Sequence, residues 1–118
     1  MRTIERKIIN TVATLRSEPW HDAKRQLSKR DQVVSQNGNV SVHLWGTKIA
    51  DVGEHDLTLF SGHYRTVTTK SRLNALLRGA GCNCSIYQKD FVWYVYDRMT
   101  DESVEFVEGY KAQRVFEG

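Results

Sequence analysis

Hydrophobic positions change their period once along this chain, and the change divides it. Ile4, Ile8, Val12 and Leu15 recur at spacings of four, four and three, which places them on one face of a helix. The spacing predicts a helix over residues 3–16 with Thr3 as its N-cap. No capping box is expected, because Arg6 rather than Glu stands three residues on. Pro19 ends the segment by pushing residue 18 out of helical geometry. One apolar stripe is not stable alone and needs a surface to pack on. In the basic segment 20–30 only Trp20, Ala23 and Leu27 are apolar. Their spacing predicts a short second helix, with a basic loop as the alternative.

From residue 32 the period becomes two. Val40, Val42 and Leu44 alternate with Ser41, His43 and Trp45, and Asn37-Gly38 stands just before them. Asn-Gly between two β-rich runs predicts a hairpin with a type I′ turn. Residues 48–52 read as a further strand, or as the same strand continued past a bulge. Residues 57–60 read as another, and 61–68 as a loop or a fourth strand. Leu73, Leu76 and Leu77 then mark a helix over about 69–79, capped by Thr69 and stopped by Gly79 and Gly81. Residues 85–88 and 91–96 read as two strands. The second is apolar or aromatic at every position, which suits a central strand buried on both faces. Val104 and Phe106 suggest an edge strand guarded by Glu105 and Glu108. The tail from Tyr110 carries no clear pattern. The pattern therefore predicts an α+β fold. It is a small, mostly antiparallel curved sheet with one packed helix and an N-terminal helix, in a single domain over 1–118. Residues 1–30 would be a helical basic arm and 31–110 a β-rich core.

Composition narrows the class without naming a task. Of 118 residues, 40% are hydrophobic and 26% charged, a globular balance. The longest apolar run is far too short to span a bilayer, so no membrane partner is expected. No apolar stretch follows the charged start, so no secretory signal is expected. Two cysteines do not make a disulfide framework, and a reducing compartment follows. The net charge of +3 is unevenly spread. Residues 1–30 carry eight Lys/Arg against three acids, while Asp97, Asp101, Glu102, Glu105 and Glu108 face only Arg98. A basic front and an acidic back suit a nucleic-acid or acidic partner at one end, or simply two solvated faces.

Catalytic signals are absent from the pattern. Cys82 and Cys84 stand closer than the cysteines of a metal-binding pair, and His43 and His63 are remote in sequence. No metal, cofactor or catalytic residue is expected. Asp51, Asp56, Asp101 and Glu102 sit in turns, where acids are ordinary. A small metal-dependent nuclease would need folding to gather such groups. Hydroxyls and cations do collect where the second helix begins, at Thr66, Thr68, Thr69, Lys70, Ser71 and Arg72. Helix N-termini attract anions, so Lys70 and Arg72 join Lys24, Arg25, Lys29 and Arg30 as candidate phosphate contacts. The aromatics Trp45, Tyr64, Tyr87, Trp93, Tyr94 and Tyr96 would serve as core or as a stacking platform.

Three runs carry a resemblance: His43-Leu44-Trp45-Gly46 through Ile49-Ala50, Thr66-x-Thr68-Thr69-Lys70-Ser71-Arg72-Leu73-Asn74-Ala75-Leu76-Leu77, and Gln88-Lys89-x-Phe91-x-Trp93-Tyr94. Together they resemble a group of small accessory proteins of tailed phages, T7-like podoviruses among them. Met1-Arg2-Thr3-Ile4-Glu5 is similar to their opening. Trp45 departs from the group, which commonly has a small or polar residue there. The resemblance implies a protein made in the cytoplasm of an infected bacterium. It implies a non-enzymatic role: binding a host protein to inhibit or redirect it. Trp20, Trp45 and Tyr64 are the expected partner surface. The alternative is nucleic-acid binding through the basic segment and the start of the second helix. A sheet edge is also open to pairing with a second copy.

Overall fold

The computed structural model of the chain describes residues 2–18, 21–63 and 65–114. Among them are two helices, α1 (Thr3–Ser17) and α2 (Val67–Gly79). Nine strands accompany them: β1 (Ala23–Gln26), β2 (Asp31–Gln36), β3 (Asn39–Leu44), β4 (Thr47–Val52), β5 (Asp56–Leu59), β6 (Cys84–Lys89), β7 (Val92–Asp97), β8 (Glu102–Glu105) and β9 (Tyr110–Gln113). The α+β expectation holds, but there are two antiparallel sheets where one was expected. The larger runs β1-β2-β3-β4-β5-β9 and the smaller β6-β7-β8. A single bridge between Cys82 and Arg114 joins the end of β9 to the approach of β6.

Asn37 and Gly38 have φ of 53° and 81°, the two left-handed residues that a type I′ turn requires. The β3–β4 turn has the same geometry with Trp45 at 53° and Gly46 at 77°. Residues 48–52 thus belong to a separate strand. A bulge is present as well: Val42 pairs with Ala50 but His43 with Lys48, so Ile49 is the extra residue. Consequently Ile49 and Ala50 are both buried.

Residues 20–30 correct the expectation of a helix. Lys24 pairs with Val34 and Arg25 with Val33, so β1 takes its hydrogen bonds from β2. That ladder outweighs the weak helical spacing of a segment with little apolar face. The expected helical arm is therefore split into a packed helix and an edge strand. α2 starts earlier than residue 69. Thr66, not Thr69, is the cap, and its Oγ1 accepts from the Thr69 N–H at 3.1 Å. The same correction turns 61–68 into a loop entering a helix. At the other end the Cys82 N–H donates to the Leu77 carbonyl and the Gly81 N–H to the Arg78 carbonyl. Gly81, at φ 76°, closes this Schellman motif. α1 is capped at Arg2 rather than Thr3, and the Glu5 carboxylate accepts from the Arg2 N–H at 3.4 Å.

Both helices cover one face of the larger sheet. Ile8, Val12 and Leu15 of α1 meet Leu73, Leu76 and Leu77 of α2 over Val33, Val40, Val42, Leu57 and Leu59. Burial of each such side chain is worth about 1.5–3 kcal/mol. The helices approach closely at Gly79, where a Cβ would stand 2.8 Å from the Ile9 side chain.

A polar network lies inside this apolar layer. The Arg72 guanidinium, 1% exposed, donates Nε to Asp31 Oδ1 at 2.8 Å and Nη2 to Asp31 Oδ2 at 3.4 Å. Its Nη1 donates to Glu5 Oε2 at 3.1 Å. The Ser71 hydroxyl adds a bond to Glu5 and the Ser28 hydroxyl one to Asp31. Two buried carboxylates thus share one buried cation, with Arg30 at 3.7 Å from Asp31 on the rim. Burial alone raises both acid pKa values. Ser71, the Arg2 N–H and Arg72 outweigh it at Glu5, and Arg72, Ser28 and Arg30 at Asp31, so both titrate below their ordinary values.

Replacing Arg72 by Met would leave two carboxylates buried without a counterion, a loss of roughly 3–5 kcal/mol. Urea denaturation measures it, and a change under about 1 kcal/mol would contradict the assignment. Lowered folded pKa values mean that the unfolded chain binds protons more readily. The carboxylate contribution is therefore complete above pH 4.5 and is lost as pH falls below 3.8 toward the lowered values. Thermal midpoints taken from pH 7 to pH 3 should show this fall, and it should be shallower in a Glu5→Gln/Asp31→Asn double variant.

Candidate functional site

The network decides the fate of the hydroxyl-and-cation cluster at the start of α2. That cluster does gather anions, but they are Glu5 and Asp31 of the same chain. Arg72 is thus removed from the phosphate-binding candidates, because its donors face the core. Lys70 is half-buried, whereas Lys24, Arg25, Lys29 and Arg30 are exposed on β1 and the turn after it. Lys24 and Arg25 point to opposite faces of their strand, as consecutive strand residues must.

Two sheet faces are open. On the larger sheet, paired residues form rows across the strands. One row runs Lys24, Val34, Ser41, Asp51, Thr58 and Lys111, and another Gln26, Gln32, His43 and Lys48. All of these but Gln26 and Lys111 line a broad concavity of about 1130 Å³. Its chemistry is hydroxyl, amide and charge, and Lys48 pairs with Asp51 at 2.9 Å. The Ser41 hydroxyl lies 3.0 Å from His43 Nε2. Burial, aided by Lys48 and Lys24, keeps the His43 pKa below 6.5 against the opposing Gly46 contact. Apart from Val34 this is a solvated face.

The smaller sheet is different. Cys84, Ile86, Trp93 and Val95 are buried on its inner side. Here β7 departs from the expectation of burial on both faces. Register places Ser85, Tyr96 and Ser103 in one outer row and Tyr87, Tyr94 and Glu105 in the next. Three tyrosines therefore share one open face. Tyr87 and Tyr94 stack with centroids 5.4 Å apart and planes at 22°. Tyr96 donates its hydroxyl to Asp101 Oδ1 at 2.7 Å, which raises its pKa above the ordinary 10. At the β6–β7 tip, Phe91 is 94% exposed, with φ of 66°. Residues 84–105 carry five acids against Lys89 and Arg98, so the tyrosine face sits in a negative field.

Of the expected partner surface, Trp45 is 69% exposed at the β3–β4 tip. It borders a recess of about 510 Å³ shared with Thr47, Ser61, Thr66 and Thr68. Trp20 and Tyr64 lie outside the described residues. The tyrosine set was not singled out as a partner surface in the sequence. Its signal was present: Tyr94 and Tyr96 alternate with the core residues Trp93 and Val95. Tyr87 joins them only through strand pairing.

A comparison with protein families matches residues 1–113 to the Kyanoviridae Gp96 protein. The chain belongs to that family. No curated protein and no solved structure matches it. Membership in a Kyanoviridae family makes this a phage protein. No helix among the described residues of this Gp96-family chain is long and apolar enough to cross a membrane. No group of three or more His, Cys, Asp or Glu among them is placed to hold a metal ion.

Cys82 and Cys84 are buried free thiols. Burial, then Cys82 and Asp97, push the Cys84 pKa up to about 11. Burial also raises Cys82, partly offset by Arg114. A rise of two pKa units lowers the thiolate fraction roughly 100-fold. Both thiols should therefore resist an aromatic disulfide reagent at pH 7.5 in the native protein and react promptly in urea. Fast reaction of the folded chain would contradict their burial.

Proposed function

We propose that this Gp96-family chain is a non-enzymatic phage accessory protein. On this reading it binds a host protein in the cytoplasm of the infected bacterium and inhibits or redirects it. Tyr87, Tyr94 and Tyr96 form the docking face, with Phe91 at its rim. The observation that carries the reading is an uncovered sheet face on which Tyr87, Tyr94 and Tyr96 stand together among Ser85, Ser103 and Glu105. Tyrosine is enriched where proteins meet, because it supplies large, stiff contact area. The surrounding acids disfavour a nucleic-acid ligand there, since phosphates would be repelled. They favour a basic patch on the partner. The tailed-phage resemblance of the Thr66–Leu77 and Gln88–Tyr94 runs supports the accessory role.

A second reading rests on Lys24, Arg25, Lys29 and Arg30, four exposed cations in one stretch of chain. They suit a nucleic-acid backbone, with Lys70 as a lesser contributor.

Capture from host lysate, with and without nuclease, separates the readings. The protein reading expects one stoichiometric partner that survives nuclease. It also expects that partner to be lost from a Tyr87→Ser/Tyr94→Ser variant of unchanged circular dichroism. Each tyrosine at the centre of such a contact is worth about 2 kcal/mol, close to 30-fold in affinity. Capture abolished by nuclease would favour the second reading. So would binding that weakens with salt by a log–log slope of about −0.9 per phosphate and fails when the four cations are replaced by Ala. Turnover of a substrate, abolished by a point substitution, would refute the non-enzymatic role.

A further inference from the structure

Four strands end the two sheets, and the outer edges of two of them are contacted from elsewhere in the chain. β9 is met at its end by the Cys82–Arg114 bridge. β6 is met by α2: the Asn74 side-chain amide donates to the Ile86 carbonyl at 2.9 Å and accepts from the Ile86 N–H at 2.7 Å. Asn74 thus takes the place of a neighbouring strand. β1 and β8, like β9 and β6, have a strand neighbour on one side only, and among the described residues no backbone hydrogen bond from another element reaches the outer edge of β1 or β8. Both are four residues long. β1 presents Lys24 and Arg25, and β8 presents Glu102 and Glu105, all exposed. None of these four forms an ion pair among the described residues.

An open edge exposes backbone N–H and C=O groups, and charge on it ordinarily wards off pairing. Like charge does so here for β1 on β1 and for β8 on β8, the two arrangements with two-fold symmetry. For β1 on β8 the charges are opposite, and cross-strand opposite charges stabilise. We propose that copies of this chain associate head to tail, with β1 of one copy adding antiparallel to β8 of the next.

The faces set the register. Lys24 and Gln26 lie on the open face of the larger sheet, and Ser103 and Glu105 on the tyrosine face of the smaller one. Keeping the open faces continuous places Lys24 opposite Glu105, Arg25 opposite Val104 and Gln26 opposite Ser103. Arg25 is then diagonal to Glu102 on the other face. Its aliphatic stem covers Val104, which is 50% exposed in the single chain. Such a contact is heterologous. It leaves a free β1 and a free β8 at the ends, so assembly continues to a ring or an open chain instead of stopping at a dimer. Two short strands bury much less than a standard interface of about 1,600 Å², so the association is weak. It is also salt-sensitive. This inference uses the edges and is independent of the tyrosine face.

Sedimentation of the full chain at low salt, up to on the order of 1 mM, tests it in the range where a contact this small is read. The weight-average mass should rise at least twofold above the monomer. It should return toward the monomer when ionic strength goes from about 0.01 M to 1 M, which shortens the Debye length from about 30 to 3 Å. Lys24→Glu/Arg25→Glu and Glu102→Lys/Glu105→Lys variants, each folded by circular dichroism, should stay monomeric alone. Mixed in equal amounts they restore opposite charge across the contact and should associate again. A monomeric wild type, reversed variants that assemble alone, or a mixture that stays monomeric would each overturn the proposal.

Discussion

Arg72 held between Glu5 and Asp31 is the constraint on which the layering depends. Arg72 stands on α2 and its two partners on α1 and β2, three elements whose apolar faces alone would tolerate sliding. Hydrophobic burial is non-directional, whereas a forked guanidinium bonded to two carboxylates admits few geometries. The network therefore specifies where the helices stand on the sheet, and the leucines and valines around it supply the bulk of the favourable energy. An excess of buried negative charge is the cost. It is offset by hydroxyl donors from Ser28 and Ser71, the Arg2 N–H at the start of α1, and Arg30 at the rim.

Committing both helices to one side of the larger sheet has a consequence for function. It leaves the other side of each sheet uncovered, and the two uncovered sides differ in chemistry. The larger is lined with Lys24, Gln32, Ser41, His43 and Thr58 and is content in water. The smaller carries Tyr87, Tyr94 and Tyr96, which are only partly satisfied there. The bridge between Cys82 and Arg114 and the amide of Asn74 engage the outer edges of β9 and β6 at one point each, and β1 and β8 lack such contacts among the described residues. The uneven charge of the chain becomes a spatial property in this way: basic at β1, acidic around β7 and β8.

Much of the local structure was legible from neighbouring residues. The stripe of Ile8, Val12 and Leu15 marked α1, Asn37-Gly38 marked its turn, and Leu73, Leu76 and Leu77 marked α2. Each is a short-range signal whose physics lies within one turn or one hairpin. The apolar spacing misreads β1 because its extended form is stabilised by β2, whose paired residues lie six to twelve positions away. The Thr66 cap was missed by one turn because several hydroxyls compete at that point. Arg72 was misjudged because nothing local says that an arginine beside Lys70 will turn inward.

The sequence by itself determined both helices, most of the strands and the Asn37-Gly38 hairpin, since these rest on periodicity and turn chemistry, and it pointed to a phage protein. Only the tertiary structure decided what each charged or aromatic side chain does. Burial turned Arg72 from a phosphate candidate into a structural cation. Strand register gathered three tyrosines on one face and sent Trp93 to the core. Pairing order chose which edges remain open. Such decisions depend on long-range contacts, and a one-dimensional pattern does not contain the partner of a residue tens of positions away.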